Sequence, residues 1–341
     1  MSDSLILINN EKIFKEDNNF YCDNIDIKSI PEGLSKHFKI SMIGRNSKIK
    51  RSHKINQVET KLGSNIIAFL FFIFKTFKHK DNKYLLVSIT PYTFFAYLLL
   101  LLFRKKIFVY LRSNGYEEYK HIVGSWGIFL YHVMFTVVSW KAELISCRSH
   151  ILKGKAGKVV SPSQLGSNWF KLHKKPNLES VKLLYVGRIK VEKGIFSLLK
   201  IFKNLKIKAT LSLVGSGKSN NFEKIKQENV NLIEFENKND SIIEIYDNHN
   251  IFILPSFTEG HPQVLDESLA RLRPVIVFKE ISHVIGNREG VFVCERDLTS
   301  LTNTINHIMS NYQAIEEKII QNKLPTKELF LNQLVSIIKD I

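Results

Sequence analysis

Acid is scarce in this sequence. Across 341 residues, 49 Lys and Arg stand against 32 Asp and Glu, a formal net charge of +17 with histidine neutral. No Asp-x-Asp pair occurs, nor any His/Asp cluster at ligand spacing, so no bridging divalent cation and no metal site are implied. The three cysteines, Cys22, Cys147 and Cys294, are an odd number without metal-ligand spacing. That excludes a disulfide framework and fits a reduced, cytoplasmic compartment. The start, M-S-D-S-L-I-L-I-N-N, lacks the basic lead of a signal peptide. Long apolar runs are absent too. Phe94–Phe103 holds ten unbroken apolar residues, against roughly 20 for a bilayer span, so a buried crossover helix is expected there.

What is present is enough apolar material, 44%, for real cores, which excludes global disorder. The positive charge is lopsided. Residues 1–180 hold 28 Lys and Arg against 13 acids, and residues 181–341 hold 21 against 19. A basic first half implies an acidic partner: an anionic membrane, a phosphorylated acceptor or nucleic acid. Its Phe-rich segments are blocks suited to burial, not aromatics interleaved with cations, so nucleic acid is not expected. Asn65–Phe77 is apolar nearly all round with lysines at its ends. It reads equally as a core helix or as a helix lying in a membrane interface.

Strand and helix patterns alternate through the chain, the signature of parallel βαβ units. In the first half the strands are Leu5–Ile8, Phe38–Ile43, Tyr84–Ile89, Ile107–Leu111, Leu144–Ser146 and Lys158–Val160, with helices over Asn65–Phe77, Tyr92–Phe103 and Trp126–Val138. In the second, strands are expected at Val181–Val186, Ala209–Val214, Leu232–Phe235, Ile251–Leu254, Val275–Phe278 and Val291–Cys294. Helices fall between them, including Ile195–Leu205, Phe222–Gln227, Ser241–Tyr246 and Gln263–Leu272. The composition shift at Pro176–Ser180 suggests a Rossmann-like domain over 1–176 and another over 177–324. A closing helix over 325–341 can pack back toward the first domain.

Three turns at the carboxyl ends of second-half strands carry candidate chemistry. The first is G-R-I-K-V-E-K-G, residues 187–194: Gly187 permits a sharp turn, and Arg188 and Lys193 can neutralise a diphosphate. The second is G-S-G-K-S, residues 215–219. It fails the P-loop pattern because Ser212 stands where the first Gly belongs, leaving Gly215 as a turn that brings backbone N–H groups near a ligand. The third, S-F-T-E-G-H-P-Q-V-L-D-E-S-L-A, places Glu259 in a turn and Glu267 eight positions on, inside a helix that Pro262 opens. A helix N-terminus attracts phosphate, and carboxylates beside it can hold sugar hydroxyls.

In this order and spacing, V-G-R-I-K-V-E-K-G, L-V-G-S-G and I-F-I-L-P-S-F-T-E-G-H-P-Q-V-L-D-E-S-L-A resemble glycosyltransferase family 4 over roughly residues 180–297. The resemblance implies an α/β GT-B fold, two facing Rossmann-like domains with an interdomain cleft, and a retaining transferase that uses a nucleoside-diphosphate sugar; with no metal-ligand pattern in the sequence, no metal or other cofactor is expected. It implies that Arg188 and Lys193 bind the donor diphosphate and that Glu259, first acid of the E-x7-E signature, faces the donor sugar. Glu267 would bond the ribose hydroxyls, with Gly260, His261, Pro262, Gln263 and Val264 lining the donor. Glu259, Arg188 and Lys193 are the catalytic candidates. The chain departs from the family pattern at Arg273, where a small residue is usual, at Ser268, at Ser161-Pro162-Ser163-Gln164, and in a first strand followed by no glycine-rich loop.

The acceptor side is read from physics alone. Arg112, Ser113 and Asn114 close a strand, and Arg112 can pair with a phosphate or serve as a plain turn residue. Glu117 and Glu118 open a helix and suit capping. The expected partners are a sugar nucleotide, a saccharide or polyprenyl-diphosphate-linked acceptor, and an anionic membrane at which the protein is peripheral, in surface polysaccharide assembly such as O-antigen or capsule. The competing readings are a nucleotide-sugar epimerase of the same fold and a non-catalytic membrane or nucleic-acid-binding protein.

Overall fold

The computed structural model describes residues 3–56, 58–79, 81–215, 227–233, 239–259 and 261–340. The chain divides into two compact units, residues 1–162 with 327–341, and residues 163–326. Each is built on a largely or wholly parallel sheet with helices on both faces.

In the first unit the strands are β1 (Ser4–Glu16), β2 (Asn19–Cys22), β3 (Lys39–Ser47), β4 (His53–Ile55), β5 (Glu59–Gly63), β6 (Lys83–Val87), β7 (Lys106–Leu111), β8 (Glu143–Ser146) and β9 (Lys158–Val159). The parallel strands lie in the order β5-β3-β1-β6-β7-β8-β9. β1 outruns its expected end at Ile8. A register shift between Ile8 and Lys12 carries it past the polar Asn9-Asn10-Glu11, where the Asn9 side chain accepts from the Glu11 N–H at 2.9 Å. Its far end then pairs antiparallel with β2, and β2 with β4. The short polar strands β2, β4 and β5 and helix α1 (Ile25–Leu34) were not legible in the sequence.

Helices α2 (Ile66–Lys75), α3 (Pro91–Leu102), α4 (Gly115–Val123) and α5 (Ser125–Val138) complete the order up to β8. Alternate strand residues sort the core into two layers. Ile6, Ile8, Tyr84, Leu86 and Val109 pack with α2, α3 and α5, while Leu5, Leu7, Leu85, Val87 and Phe108 pack with α1 and the last helix, α11 (Lys327–Lys339). α11 therefore belongs to the first unit. Phe330, Leu334 and Ile338 enter its core, Lys83 Nζ donates to the Ile338 carbonyl at 2.8 Å, and Gln333 accepts from the Ser161 N–H at 2.8 Å.

The second unit holds β10 (Val181–Val186), β11 (Ala209–Val214), β12 (Val230–Ile233), β13 (Ile251–Leu254), β14 (Val275–Phe278) and β15 (Val291–Cys294), all parallel, in the order β12-β11-β10-β13-β14-β15. The helices are α6 (Ile195–Phe202), α7 (Asn239–Asp247), α8 (Gln263–Ala270), α9 (Leu298–Ser310) and α10 (Tyr312–Ile320). β13 and β14 are buried at every position, as strands covered on both faces must be. Residues 222–226 of the expected helix Phe222–Gln227 and the end of the expected strand at Phe235 lie outside the described residues.

The division between units falls after Pro162, whereas the composition shift pointed to residue 176. The intervening segment packs with the second unit through Leu165 and Trp169. Two fully buried arginines tie it there. Arg271 donates to the carbonyls of Trp169, Lys171 and Leu172 at 2.8–3.0 Å while gripping both Asp247 oxygens at 2.8 and 2.7 Å, and Arg273 donates to the Lys174 carbonyl. The carbonyl partners lie about a hundred residues away in sequence, beyond any local pattern. They also account for the departures at Arg273 and Ser268: buried Ser268 donates to the Arg273 carbonyl at 3.0 Å.

Candidate functional site

The strand order of the second sheet reverses direction between β10 and β13, its first and fourth strands in sequence. Open α/β sheets bind ligands beyond the carboxyl ends of the strands at such a switch point. The turn after β10 carries Arg188 and Lys193; the turn after β13 carries Glu259. Parallel pairing of these two strands brings the turns together. Lys193 Nζ donates to Glu259 Oε1 at 2.6 Å, and buried Ser256 donates to the same oxygen at 2.7 Å. Both ion-pair partners are largely shielded from water.

Close backbone approach fixes this arrangement. Lys193 ends a 3-10 turn, Val191–Lys193, and Gly194 follows at φ +67°. A Cβ on Gly194 would lie 1.8 Å from the Pro255 carbonyl oxygen, so only glycine lets the two turns meet. A Cβ on Gly215 would lie 1.9 Å from the Gly187 carbonyl oxygen. The Phe257 N–H donates across to the Glu192 carbonyl at 3.1 Å.

Several residues that the sequence reading missed hold the Glu259 loop. Arg296 donates to the carbonyls of Pro255 and Ser256 at 2.9 and 3.3 Å. It also pairs with Glu280 at 2.6 Å and lies over the rings of Phe257 and Phe278 at 4.1 and 4.3 Å. His283 Nε2 donates to the Glu259 carbonyl at 2.8 Å. Tyr185 donates to the Arg188 carbonyl at 2.9 Å. Burial chiefly raises the pKa of its phenol, the Glu259 charge adds to the rise, and the Arg188 charge opposes it. The Tyr185 hydroxyl thus feels both candidate groups. Arg188 itself is exposed. No short-range signal marks Arg296, His283 or Tyr185, because each acts on residues from another strand or across a turn.

Glu267 is placed differently from Glu259. It lies on α8, half-buried, and accepts from Tyr246 of α7 at 2.9 Å. Burial pushes its carboxyl up to about 7; the Tyr246 bond opposes this and the neighbouring Asp266 carboxylate adds to it. Asp266 is held by Arg288 in a two-pronged pair at 2.5 and 3.0 Å. Pro262 precedes α8 as its N-cap and not as its first helical residue, and among the described residues no side chain caps that end. The leading amides, those of Gln263 and Val264, are the positive end of the helix. His261 is half-buried and Pro262 buried, both in the turn before α8; Gly260 lies outside the described residues.

The first-unit candidates close β7. Arg112 Nη1 is 4.0 Å from Asp26 Oδ2, and its carbonyl accepts from the Cys147 thiol at 3.2 Å. Asn114 precedes α4 and its side chain donates to the Glu117 carboxylate at 2.7 Å, while among the described residues no side chain caps the α4 backbone amides. Ser113 is half-buried between them. Burial raises the Glu11 carboxyl pKa, and the Arg112 charge opposes that. Among the described residues, no group of three or more His, Cys, Asp or Glu side chains converges as a metal site would.

Comparison with known proteins bears on this geometry. Residues 180–311 match the family model described as Glycosyl transferases group 1. An uncharacterized glycosyltransferase of Haemophilus influenzae is 24% identical over 178 residues, 48% of this chain and 49% of that protein. The capsular polysaccharide biosynthesis glycosyltransferase CapM of Staphylococcus aureus is 29% identical over 163 residues, 45% of this chain and 42% of that protein. The match thus spans about half the length of these curated relatives. Anabaena HepE, solved with UDP and glucose, superposes with a TM-score of 0.71 at 12% identity, over 99% of this chain and 100% of that one. At that identity the likeness shows the fold: two Rossmann-like units of the GT-B type.

Proposed function

We propose that the protein is a glycosyltransferase that moves a sugar from a nucleoside diphosphate to a hydroxyl of a saccharide acceptor. One observation supports this reading above the rest. Lys193, Glu259 and Ser256 join in one hydrogen-bonded cluster at the switch point of the second sheet, inside the segment that matches the group 1 family model. A cation and a carboxylate at one point suit a ligand with an anionic end and a hydroxyl-bearing end. Lys193 and Arg188 would take the diphosphate together with the leading amides of α8. Glu259 would turn from Lys193 to the hydroxyls of the sugar, and Glu267, already accepting from a phenol, to those of the ribose.

In the reaction the bond from the anomeric carbon to the diphosphate oxygen breaks and a bond to the acceptor oxygen forms. The acceptor proton leaves, and the charge that develops on the diphosphate falls on Lys193, Arg188 and the helix amides. We assign retention of anomeric configuration, in keeping with the E-x7-E spacing of Glu259 and Glu267. The acceptor is a saccharide of a surface polysaccharide in assembly, carried on polyprenyl diphosphate at an anionic membrane. Arg112, Ser113 and Asn114 are the acceptor-side candidates.

The experiment is a thermal-shift panel of nucleoside diphosphates and their sugars, run on the wild type and on Lys193→Ala. A ligand that binds the folded state raises its melting point. One base with its sugar should stabilise the wild type and leave Lys193→Ala nearly unmoved. A flat panel on the wild type would refute the donor site.

A further inference from the structure

The helices over one face of the first unit's sheet are apolar on both of their sides. On α2, Phe69 and Ile73 enter the core, while Ile67, Phe71 and Phe74, spaced four and three apart, form a second stripe in water. Ile67 keeps 76% of its surface exposed. On α5, Tyr131, Met134 and Val138 face inward, while Trp126 and Phe129 lie outward, 63% and 62% exposed. α3 joins them. The Phe103 ring just past its end is 5.6 Å from Phe74, and Tyr97 donates to the Val137 carbonyl at 3.2 Å. The opposite face of the same sheet is covered by α1 and α11, where among the described residues only Leu329 is a large exposed apolar side chain. The outward apolar stripes are therefore a property of one layer and not of the unit.

Cations frame this layer. Residues 61–116 carry nine Lys or Arg and a single acid, Asp81. Lys61, Lys83 and Arg112 pair with Glu59, Asp3 and Asp26, and the others, Lys75, Lys78, Lys80, Arg104, Lys105 and Lys106, cluster in sequence at the ends of α2 and α3. Lys75 lies over the Phe71 ring at 4.4 Å and Lys105 over Phe77 at 5.3 Å, so charges stand beside the apolar stripes. Among the described residues no helix is long and apolar enough to cross a membrane.

We infer that this face, the outer side of α2, α3 and α5, is a docking surface for an anionic lipid bilayer. The helices lie in the headgroup region with Ile67, Phe71, Trp126 and Phe129 inserted and the lysines on lipid phosphates. This gives the membrane contact of the reading above a place on the fold, and it rests on that reading only for the presence of the acceptor there. The chemistry favours lipid over a second copy of the chain. A twofold contact would set the same cation-rich surface against itself, whereas aromatic and aliphatic side chains ringed by Lys and Arg match an acidic headgroup layer above acyl chains.

The test is cosedimentation of the full chain with phosphatidylglycerol–phosphatidylcholine vesicles and with pure phosphatidylcholine vesicles, without any sugar nucleotide. The wild type should bind the anionic vesicles at low salt, release at high salt and ignore pure phosphatidylcholine. Ile67→Ser/Phe71→Ser/Trp126→Ser should lose affinity at least about tenfold, because insertion scales with buried apolar area. Lys75→Glu/Lys78→Glu should lose a similar factor, through charge, and serves as a second probe should the triple variant fold poorly. Wild type that stays in the supernatant at low salt overturns the inference, as does binding that both variants leave intact. A wild-type dimer that the triple variant converts to monomer, with no vesicle binding, also overturns it. Because no nucleotide is present, failure here leaves the donor site standing, and a flat nucleotide panel leaves this surface standing.

Discussion

Both units are parallel sheets between helical layers, and both place polar side chains at the carboxyl ends of their strands. They differ in what surrounds those ends. In the second unit the turns after β10 and β13 are tied to one another by Lys193–Glu259, by the Phe257–Glu192 backbone bond and by Arg296. In the first unit the corresponding residues, Arg112 and Asp26, sit 4.0 Å apart, and among the described residues the buried Asn9 Nδ2 and Tyr110 hydroxyl have no hydrogen-bond partner. Unpaired buried polar groups are costly. A site already knitted together suits a ligand of fixed chemistry, such as a diphosphate, while one with unspent donors suits a ligand that completes it. The outer helical layer differs as well. The first unit leaves aromatic stripes in water along three helices, and among the described residues the second leaves only scattered apolar side chains.

Five substitutions would break or sharpen this contrast, taken from the largest expected effect to the smallest. Arg271→Leu leaves buried Asp247 without its main partner and three carbonyls unpaired. It should cost about 3–5 kcal/mol in urea unfolding, and a loss under about 1 kcal/mol would show that residues 163–176 are not held as argued. Lys193→Ala and Glu259→Gln should each lower transfer more than about 100-fold, the scale of one electrostatic group at developing charge. Near-normal turnover in both would remove the second unit's claim to the chemistry.

Glu267→Gln should act through pH. The Glu267 pKa is about 7 against an ordinary 4.5, so between those values the folded state holds the extra proton and the wild type loses stability as pH rises. The variant lacks that slope. Its stability relative to wild type should grow by about 3 kcal/mol across the window, read from melts below pH 4.5 and above pH 7. A parallel pair of pH profiles would mean that Glu267 is solvated. Trp126→Ser, on the exposed stripe of the first unit, should change stability by less than about 0.5 kcal/mol. A larger loss would place Trp126 in a core and not on a surface.

Much of the fold could be read from runs of apolar residues, because parallel strands covered on both faces must be apolar throughout. Val181–Val186, Ala209–Val214, Ile251–Leu254 and Val275–Phe278 were legible to the residue for that reason. The edge strands β4 and β5 were not, since an edge strand needs no such pattern; β2, between β1 and β4, is only four residues long, and β1 hid its second half behind a bulge. Asn65–Phe77 shows a different limit. Its composition fitted a core helix and a membrane helix equally, and the structure sends one side of α2 into the core and leaves the other exposed.

Of the candidate site, the turns and their charges were visible in the motifs, while their pairing was not. That Lys193 meets Glu259 depends on β10 lying beside β13, and the closing of that distance depends on Gly194 having no side chain. The residues that brace the loop, Arg296, His283 and Ser256, carry no pattern of their own. By itself the sequence determined the two Rossmann-like units, the excess of positive charge in the first, and which short turns hold acid, base and glycine, because local periodicity and backbone preference encode these. The tertiary structure alone decided which of those turns meet, which carboxyl is pushed up by burial and which apolar stripe is left outside. These follow from strand order and packing between residues far apart in the chain, where no local pattern can specify the partner.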